Sequence, residues 1–374
     1  MEQSATRNSN TLTSNILAAN GGGNSLPRSG RSFGLDLVRA FAIFAVVGGH
    51  FFSLHTAFRS TPMIGLPMLI QAAAQSILSC GVPLFIMLTG YLNVNKSISR
   101  KYYSGIWRVL IAYLFFSVLT LVFRRYVMGE ELTILKAVQS IFAFSSFMYA
   151  WYIEMWIGLF LLIPFLNILY KGLDSQKHKQ ILILTLTALT FLPIFTNRYG
   201  MELTPDFWRS IYPLTFYYIG AYIREYQPRP RRLPAIAIVL AIAFIPGLFT
   251  MVALPGHTVV QILGDCFGIF GAALSVIVFL LLYKVSCHNS MITNSVYWIS
   301  LLSLDMYLCC YMFDALLYPW FKERYFVDQS SFGLYFFIIV PMVLLLAFVL
   351  SLVKRVLFNS ISKVAISKTK PIGA

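Results

Sequence analysis

The sequence predicts an all-α fold, a polytopic bundle of about ten transmembrane helices with both termini in the cytoplasm. Three observations predict it. Of 374 residues, 58% are hydrophobic and only 11% are charged, whereas about 25% are charged in ordinary soluble domains. The apolar residues form runs long enough to cross a bilayer. The 29 Lys and Arg residues outnumber the 14 Asp and Glu residues, giving a net charge of +15, as basic cytoplasmic loops would.

Ten apolar runs have about the length of a bilayer-spanning helix. They cover residues 33–55, 63–92, 105–127, 149–170, 179–196, 208–224, 233–252, 258–284, 291–318 and 332–356. The second run is long for one span and contains Pro83, so we expect a kink or a distorted helix start there. The fifth and sixth runs are short and flank a polar loop.

Charge orients these spans, because Lys and Arg collect in cytoplasmic loops. With ten spans, the side that carries both termini holds 21 of the 29 Lys and Arg residues. An error of one span would mix the two sets of loops, so the asymmetry supports the count of ten. The same excess on a soluble chain would indicate nucleic-acid binding, but no basic stretch here is long or polar enough for that. We expect a multi-pass protein of the inner (plasma) membrane.

Outside the spans, three segments carry their own predictions. Residues 1–32 are rich in Ser, Asn, Thr and Gly and lack the apolar centre of a signal peptide, so they predict a disordered cytoplasmic tail. The transmembrane domain then covers 33–357, and 358–374 form a basic cytoplasmic tail. Between the third and fourth spans, 132–149 has helical apolar spacing, which fits either an interfacial helix or a loop packed on the bundle.

The five cysteines predict neither a disulfide framework nor a metal centre. Their number is odd, and four of them lie inside apolar runs, where cysteine acts as a small hydrophobic residue: Cys80, Cys266, Cys309 and Cys310. The sequence contains no CxxC and no local Cys/His cluster, so we expect no structural zinc and no metal cofactor.

Ionisable residues inside a membrane are costly and therefore functional candidates, and the first span contains Asp36, Arg39 and His50. Eleven residues at 100° each place Arg39 and His50 on one helix face, about 16 Å apart. Gly48 and Gly49 would let another backbone or a slender ligand approach. Two structural alternatives stay open: Arg39 can anchor the helix end while pairing with Asp36, and His50 can make an interhelical hydrogen bond.

The residues of the first span belong to a wider set of segments. GLDLVRAFAIFAVVGGH (34–50) is followed by GVPLFIMLTGYL (81–92), WYIEMWIGLFLLIP (151–164), TFYYIGAYI (215–223) and SLDMY (303–307). In this order, and with ten spans, these segments resemble the acyltransferase-3 family of bacterial integral-membrane O-acyltransferases. The chain is similar to the short form that has only the membrane domain, the enterobacterial common antigen O-acetyltransferase type.

The resemblance implies transfer of an acyl group, typically acetyl from acetyl-CoA, onto a hydroxyl of a surface polysaccharide or a lipid-linked glycan precursor. Arg39 and His50 correspond to the arginine and histidine of the family's first span. The chain departs from the family at two places. Of an Arg-x-x-Arg before the third span only Arg108 is kept, with Gly105 at the first position. Cys310 stands where relatives often carry histidine.

These residues predict a donor site and a catalytic base. Arg39, Arg100, Lys101 and Arg108 form a cytoplasmic basic cluster suited to the phosphates of acyl-CoA, although each can also be an ordinary solvated cation. His50 is then the general base, or alternatively an acyl-carrying nucleophile.

A catalytic histidine is usually oriented by a carboxylate. The embedded acids are Glu154, Asp265, Asp305 and Asp314, of which we take Glu154 and Asp305 as catalytic candidates beside His50. Which acid orients the histidine stays open. Two other functions also stay open, a transporter or flippase of a lipid-linked glycan and a structural membrane subunit.

Overall fold

The chain folds into α-helices joined by short loops. The computed structural model describes residues 32–197, 202–259 and 268–368, and these residues contain no β-strand. Among the described residues, the α-helices of nine or more residues are α1 Phe33–His50, α2 Gly65–Leu78, α3 Gly81–Asn93, α4 Ile106–Tyr126, α5 Ile134–Phe142, α6 Trp151–Lys171, α7 Gln176–Thr196, α8 Tyr212–Tyr226, α9 Arg232–Ala253, α10 Ile269–Leu282, α11 Ser290–Tyr325 and α12 Phe336–Lys368. The predicted all-α class is confirmed.

Seven helical segments among the described residues are long and apolar enough to cross a membrane. They are Phe33–His55, Gly65–Asn93, Arg100–Tyr126, Met148–Lys171, Arg232–Ala253, Ser290–Tyr325 and Gln329–Ser360. The other three predicted spans, 179–196, 208–224 and 258–284, correspond to α7, α8 and α10. α7 begins with the polar residues QKHKQ, and α8 and α10 have 15 and 14 residues, so by length and composition alone they do not qualify. The count of ten and the cytoplasmic termini stay predictions.

The long second run is interrupted, as its proline predicts. α2 ends at Leu78, Ser79 and Cys80 form a turn, and α3 begins at Gly81. Pro83 lies in the first turn of α3, where its missing N–H leaves no hydrogen bond unmade.

Glycines bring α3 and α8 into backbone contact. A Cβ atom at Gly220 would overlap the carbonyl oxygen of Met87, and one at Gly90 would overlap that of Tyr217. Small residues of this kind allow the close helix approach that is common in membranes. A Cβ atom at Gly48, in α1, would meet the side chains of Leu78 and Phe336. These side chains from neighbouring helices fill the space that the missing Cβ leaves.

The segment after the third span is a short amphipathic helix, α5. None of its residues is buried, and Ile134, Leu135, Val138 and Phe142 are exposed. At 100° per residue these four side chains fall within about 100° of one another. A helix with one exposed apolar face favours the interfacial alternative over a loop packed on the bundle.

Residues Phe33–Ser351 form one compact unit, and the site described below lies within it. The remainder of α12, from Leu352 to Lys368, lies outside this unit. Several predictions concern residues 1–31, 369–374, Asp265 and Cys266, which lie outside the described residues.

Candidate functional site

His50 is the last residue of α1 and lies against a carboxylate from a distant part of the chain. Its Nδ1 atom is 3.7 Å from Oδ2 of Asp314, a fully buried residue of α11. Its ring stacks on that of Tyr149, with ring centres 3.9 Å apart. The His50 side chain is itself 14% exposed. The imidazole is therefore held between a carboxylate and an aromatic ring, with one part still accessible.

A second histidine reaches the same carboxylate oxygen. Nε2 of His55 lies 3.5 Å from Oδ2 of Asp314 and 2.6 Å from the hydroxyl of Tyr149. The Tyr149 hydroxyl in turn donates a 2.6 Å hydrogen bond to Oδ2 of Asp314. We call His50, His55, Tyr149 and Asp314 the inner cluster.

A π-helical turn brings the two histidines together. α1 passes into a π-helix over Phe51–His55, and a π turn closes its hydrogen bond between residues five apart. Residues five apart in an α-helix point about 140° away from each other, whereas in a π turn the later residue lies roughly above the earlier one. Without this turn His55 would face away from Asp314. Such turns are frequent at functional sites.

Two buried atoms of the inner cluster lack a hydrogen-bond partner among the described residues: Nδ1 of His50 and Oδ1 of Asp314. Leaving a buried polar atom unpaired costs about 1–3 kcal/mol. Both atoms belong to side chains that can exchange protons, and both lie in the same small region. This arrangement has spare hydrogen-bonding capacity next to an accessible imidazole, as a site that receives another polar group requires.

A cavity of about 760 Å³ has Tyr307 in its wall, although none of the four residues of the inner cluster lines it. Arg39, Lys96, Lys101 and Arg108 contribute its cationic groups. Its wall also includes the apolar and aromatic residues Leu88, Tyr152, Ile153, Trp156 and Tyr307.

Tyrosines separate the cavity from His50. Tyr307, which lines the cavity, donates a 2.6 Å hydrogen bond to the backbone oxygen of Tyr149, and the Tyr149 ring stacks on His50. The ring of Tyr152, also in the wall, packs edge-on against Tyr307 with centres 5.4 Å apart. We call the cationic part of the cavity wall, Arg39, Lys96, Lys101 and Arg108, the basic entrance. One layer of aromatic side chains, Tyr152 and Tyr307, lies between the cavity and the inner cluster.

Arg39 both pairs locally and lines the cavity. Its guanidinium donates a 2.9 Å hydrogen bond to Oγ of Ser300 and lies 3.5 Å from Asp36. The Ser300 hydroxyl donates to Oδ1 of Asp36 at 2.6 Å. The pairing with Asp36 foreseen as an alternative is present, and it fixes the guanidinium at the cavity wall. The two interpretations of Arg39 are compatible.

The other predicted site residues divide between the cavity and the surface. Lys101 and Arg108 line the cavity, whereas Arg100 is exposed and outside its lining. Glu154 is also exposed and outside the lining. Asp305 precedes Asp314 by nine residues, about 13.5 Å along α11 and half a turn out of phase, so Asp314 is the acid that the fold brings to His50. Catalytic roles for Glu154 and Asp305, and a donor-binding role for Arg100, stay predictions.

Sequence reasoning missed His55 and Tyr149 and left Asp314 as one of four acids. An α-helix throughout the first span would place His55 out of phase with His50. Tyr149 lies at the start of the fourth span, where aromatic residues are common anchors. Asp314 is 264 residues from His50, and nothing local in the sequence connects them. The one usable signal was the pair of histidines five residues apart in an apolar segment.

Comparison with known proteins identifies the family. Residues 32–352 match the family described as an acyltransferase domain, the acyltransferase-3 family. No curated protein and no solved structure matches the chain. The match covers most of the chain, including the inner cluster and every residue of the cavity wall. The chain therefore belongs to the acyltransferase-3 family, and it is a multi-pass membrane acyltransferase.

Proposed function

We propose that this protein is an O-acyltransferase of the inner membrane that moves an acyl group, in the first instance acetyl, from cytoplasmic acyl-CoA to a hydroxyl. The acceptor is a surface polysaccharide or a lipid-linked glycan precursor. One observation carries the proposal: the 760 Å³ cavity has cationic groups on its wall, and its wall residue Tyr307 hydrogen-bonds to Tyr149, whose ring stacks on the imidazole of His50. A transporter of lipid-linked glycans has no comparable need for an imidazole beside a carboxylate.

The cationic groups suit the phosphates of the donor. Arg39, Lys101 and Arg108 line the cavity, and guanidinium groups bind phosphate through paired, charge-assisted hydrogen bonds. Arg39 and His50 are eleven residues apart on one helix, about 16 Å, which is comparable with an extended pantetheine arm. The donor would place its nucleotide at the basic residues and its thioester toward the inner cluster.

The inner cluster suits the proton transfer that the acceptor requires. Nδ1 of His50 faces Asp314, so with the proton on that nitrogen the Nε2 lone pair can accept the proton of the acceptor hydroxyl. The acceptor oxygen then attacks the thioester carbonyl carbon, and the C–S bond breaks. The departing CoA thiolate takes the proton back from the imidazolium, so the reaction balances as ester plus free CoA. Asp314 stabilises the transient imidazolium.

A direct assay tests the proposal. The purified protein in lipid nanodiscs is incubated with acetyl-CoA labelled in its acetyl group and with lipid-linked or polysaccharide glycans. We expect label in the glycan together with an equal amount of free CoA thiol. Movement of lipid-linked glycan across a vesicle membrane without CoA release would instead establish a transporter.

Mass spectrometry of surface glycans from cells with and without the protein identifies the acceptor. We expect one acetyl mass on a defined sugar only when the protein is present. An identical glycan mass profile in both cells would contradict a surface polysaccharide as the acceptor.

A further inference from the structure

Cys310 joins the inner cluster from α11. It precedes Asp314 by four residues, so both side chains project from the same side of the helix. The Cys310 sulfur, a carboxylate oxygen of Asp314 and a ring nitrogen of His50 all lie within 4.8 Å of one another. Cys310 is fully buried, and its sulfur donates to the backbone oxygen of Tyr307 at 3.2 Å. Sequence spacing gave no sign of this group, because His50 comes from another helix.

The three groups converge on one point and do not form a relay. In a nucleophilic triad the thiol and the acid bind opposite nitrogens of the imidazole, so the ring separates them. Here the sulfur and the carboxylate oxygen are within 4.8 Å of each other as well as of the histidine. Three donor atoms that approach one another in this way share a common centre.

Charge and hydrogen bonding favour a cation at that centre. Nδ1 of His50 and Oδ1 of Asp314 are buried without a hydrogen-bond partner. Thiolate, imidazole and carboxylate are all ligands of Zn²⁺, with bonds of about 2.0–2.3 Å. Tetrahedral geometry then separates ligand atoms by about 3.3–3.7 Å. The 3.7 Å between Nδ1 of His50 and Oδ2 of Asp314 already lies in this range. A pair of ligand atoms as far apart as the 4.8 Å limit would have to approach by about 1 Å.

The histidines are the accessible side of the cluster. Asp314 is fully buried, whereas the side chains of His50 and His55 are 14% and 16% exposed. Metal entering there would displace the thiol proton of Cys310, since zinc binds the thiolate. Three protein ligands leave a fourth position for water or another donor.

We propose that His50, Cys310 and Asp314 form an inhibitory site for Zn²⁺. A zinc ion on Nδ1 confines the imidazole proton to Nε2, the nitrogen that must be unprotonated to act as a base. It also occupies the carboxylate that would stabilise the imidazolium. Zinc binding goes beyond the proposed transferase function, and only its inhibitory consequence rests on that function.

Metal binding is tested first without reference to activity. The full-length protein in detergent, stripped with a chelator, is titrated with Zn²⁺ against a chromophoric competitor, and with Co²⁺ for its thiolate charge-transfer absorption. We expect one zinc ion per chain in the wild type and at least about tenfold weaker binding in Cys310→Ala. The cobalt–thiolate band should be present in the wild type and absent from the variant. Equal zinc affinity in both proteins would overturn the proposal.

Cys309 provides a matched control. It is the adjacent buried cysteine, but its sulfur contacts the backbone oxygen of Ala347 and the hydroxyl of Ser351. Cys309→Ala should therefore keep the wild-type zinc affinity and the cobalt band. If Cys309→Ala lost both the zinc affinity and the cobalt band, the loss would come from a disturbance of α11 and not from the removal of a zinc ligand. That result would also overturn the proposal.

Inhibition is tested by acetyl-CoA turnover with and without Zn²⁺, each variant being compared with its own metal-free rate. Zinc should inhibit the wild type and Cys309→Ala reversibly, and at least about tenfold more metal should be needed for Cys310→Ala. Activation of the wild type by zinc would overturn the inhibitory role. Absence of turnover in every metal-free protein would instead refute the proposed function, while the titration and the cobalt spectrum still report on the zinc site.

Discussion

The inner cluster and the basic entrance of the cavity use ionisable residues in opposite ways. In the inner cluster, Asp314 is fully buried and lies within 3.7 Å of two histidines. At the entrance, Lys101 and Arg108 are exposed, and only Arg39 among the arginines there is fixed by a carboxylate and a serine hydroxyl.

This difference predicts a division of labour. Interactions between buried charges are strong and depend on geometry, whereas exposed charges are screened by water and salt. In the proposed mechanism the inner cluster contacts the reacting groups and the entrance only the donor's nucleotide, so changes in the inner cluster should act on kcat and changes at the entrance on KM for the donor. The following substitutions test that division, from the largest expected effect to the smallest.

Replacing the base should have the largest effect. We expect His50→Ala to lower kcat by about 10²- to 10⁴-fold, because a positioned base contributes that much, with little change in donor affinity. Release of CoA thiol in nanodiscs measures kcat, and binding of acetyl-CoA is measured separately. His178→Ala, at an exposed position of α7, is the control. Wild-type turnover in His50→Ala would remove the base from the mechanism.

The carboxylate should come next. Asp314→Asn keeps the side-chain volume but removes the charge that orients His50, and we expect kcat to fall at least about tenfold with KM unchanged. Steady-state kinetics give both constants, and thermal unfolding shows whether the variant is folded.

Asp305→Asn is the matched comparison for Asp314, because this acid lies two and a half turns away on the same helix and points to the opposite side. A larger loss for Asp305→Asn than for Asp314→Asn would reverse the assignment of the orienting acid.

At the entrance, the effect should appear in KM. Arg108→Ala would remove the proposed charge-assisted contact to phosphate, worth about 1.5–3 kcal/mol, so KM for acetyl-CoA should rise about 10- to 100-fold while kcat stays near the wild-type value. The same variant should use S-acetylpantetheine, which has no nucleotide, as well as the wild type does. An equal loss with both donors would show that Arg108 does not bind the nucleotide.

The smallest effects are expected outside the cavity. Arg100 and Glu154 are exposed and do not line it, and isolated surface charges contribute about 0–1 kcal/mol. Arg100→Ala and Glu154→Gln should stay within about fivefold of the wild type in both constants. A larger rise in KM for Arg100→Ala would support its predicted place in the donor site, and a large fall in kcat for Glu154→Gln would support the predicted catalytic role of Glu154.

The sequence predicted those features that depend on one segment at a time. Partition into a membrane follows from hydrophobicity summed over each run, so the all-α class and seven of the spans could be read directly. Arg39 and His50 share a helix, and their relation follows from helix geometry. The amphipathic helix α5 followed from its apolar spacing for the same reason.

The tertiary structure decided which residues surround His50. The packing that brings Cys310 and Asp314 from α11 and the tyrosine layer beside the cavity depend on contacts between distant segments. The π turn that turns His55 inward is local, but it departs from the α-helical period expected for the first span. Periodicity gives the face of a helix on which a residue lies but not which helix that face meets. That pairing is set by side-chain packing across the whole bundle, and it made Asp314 the partner of His50.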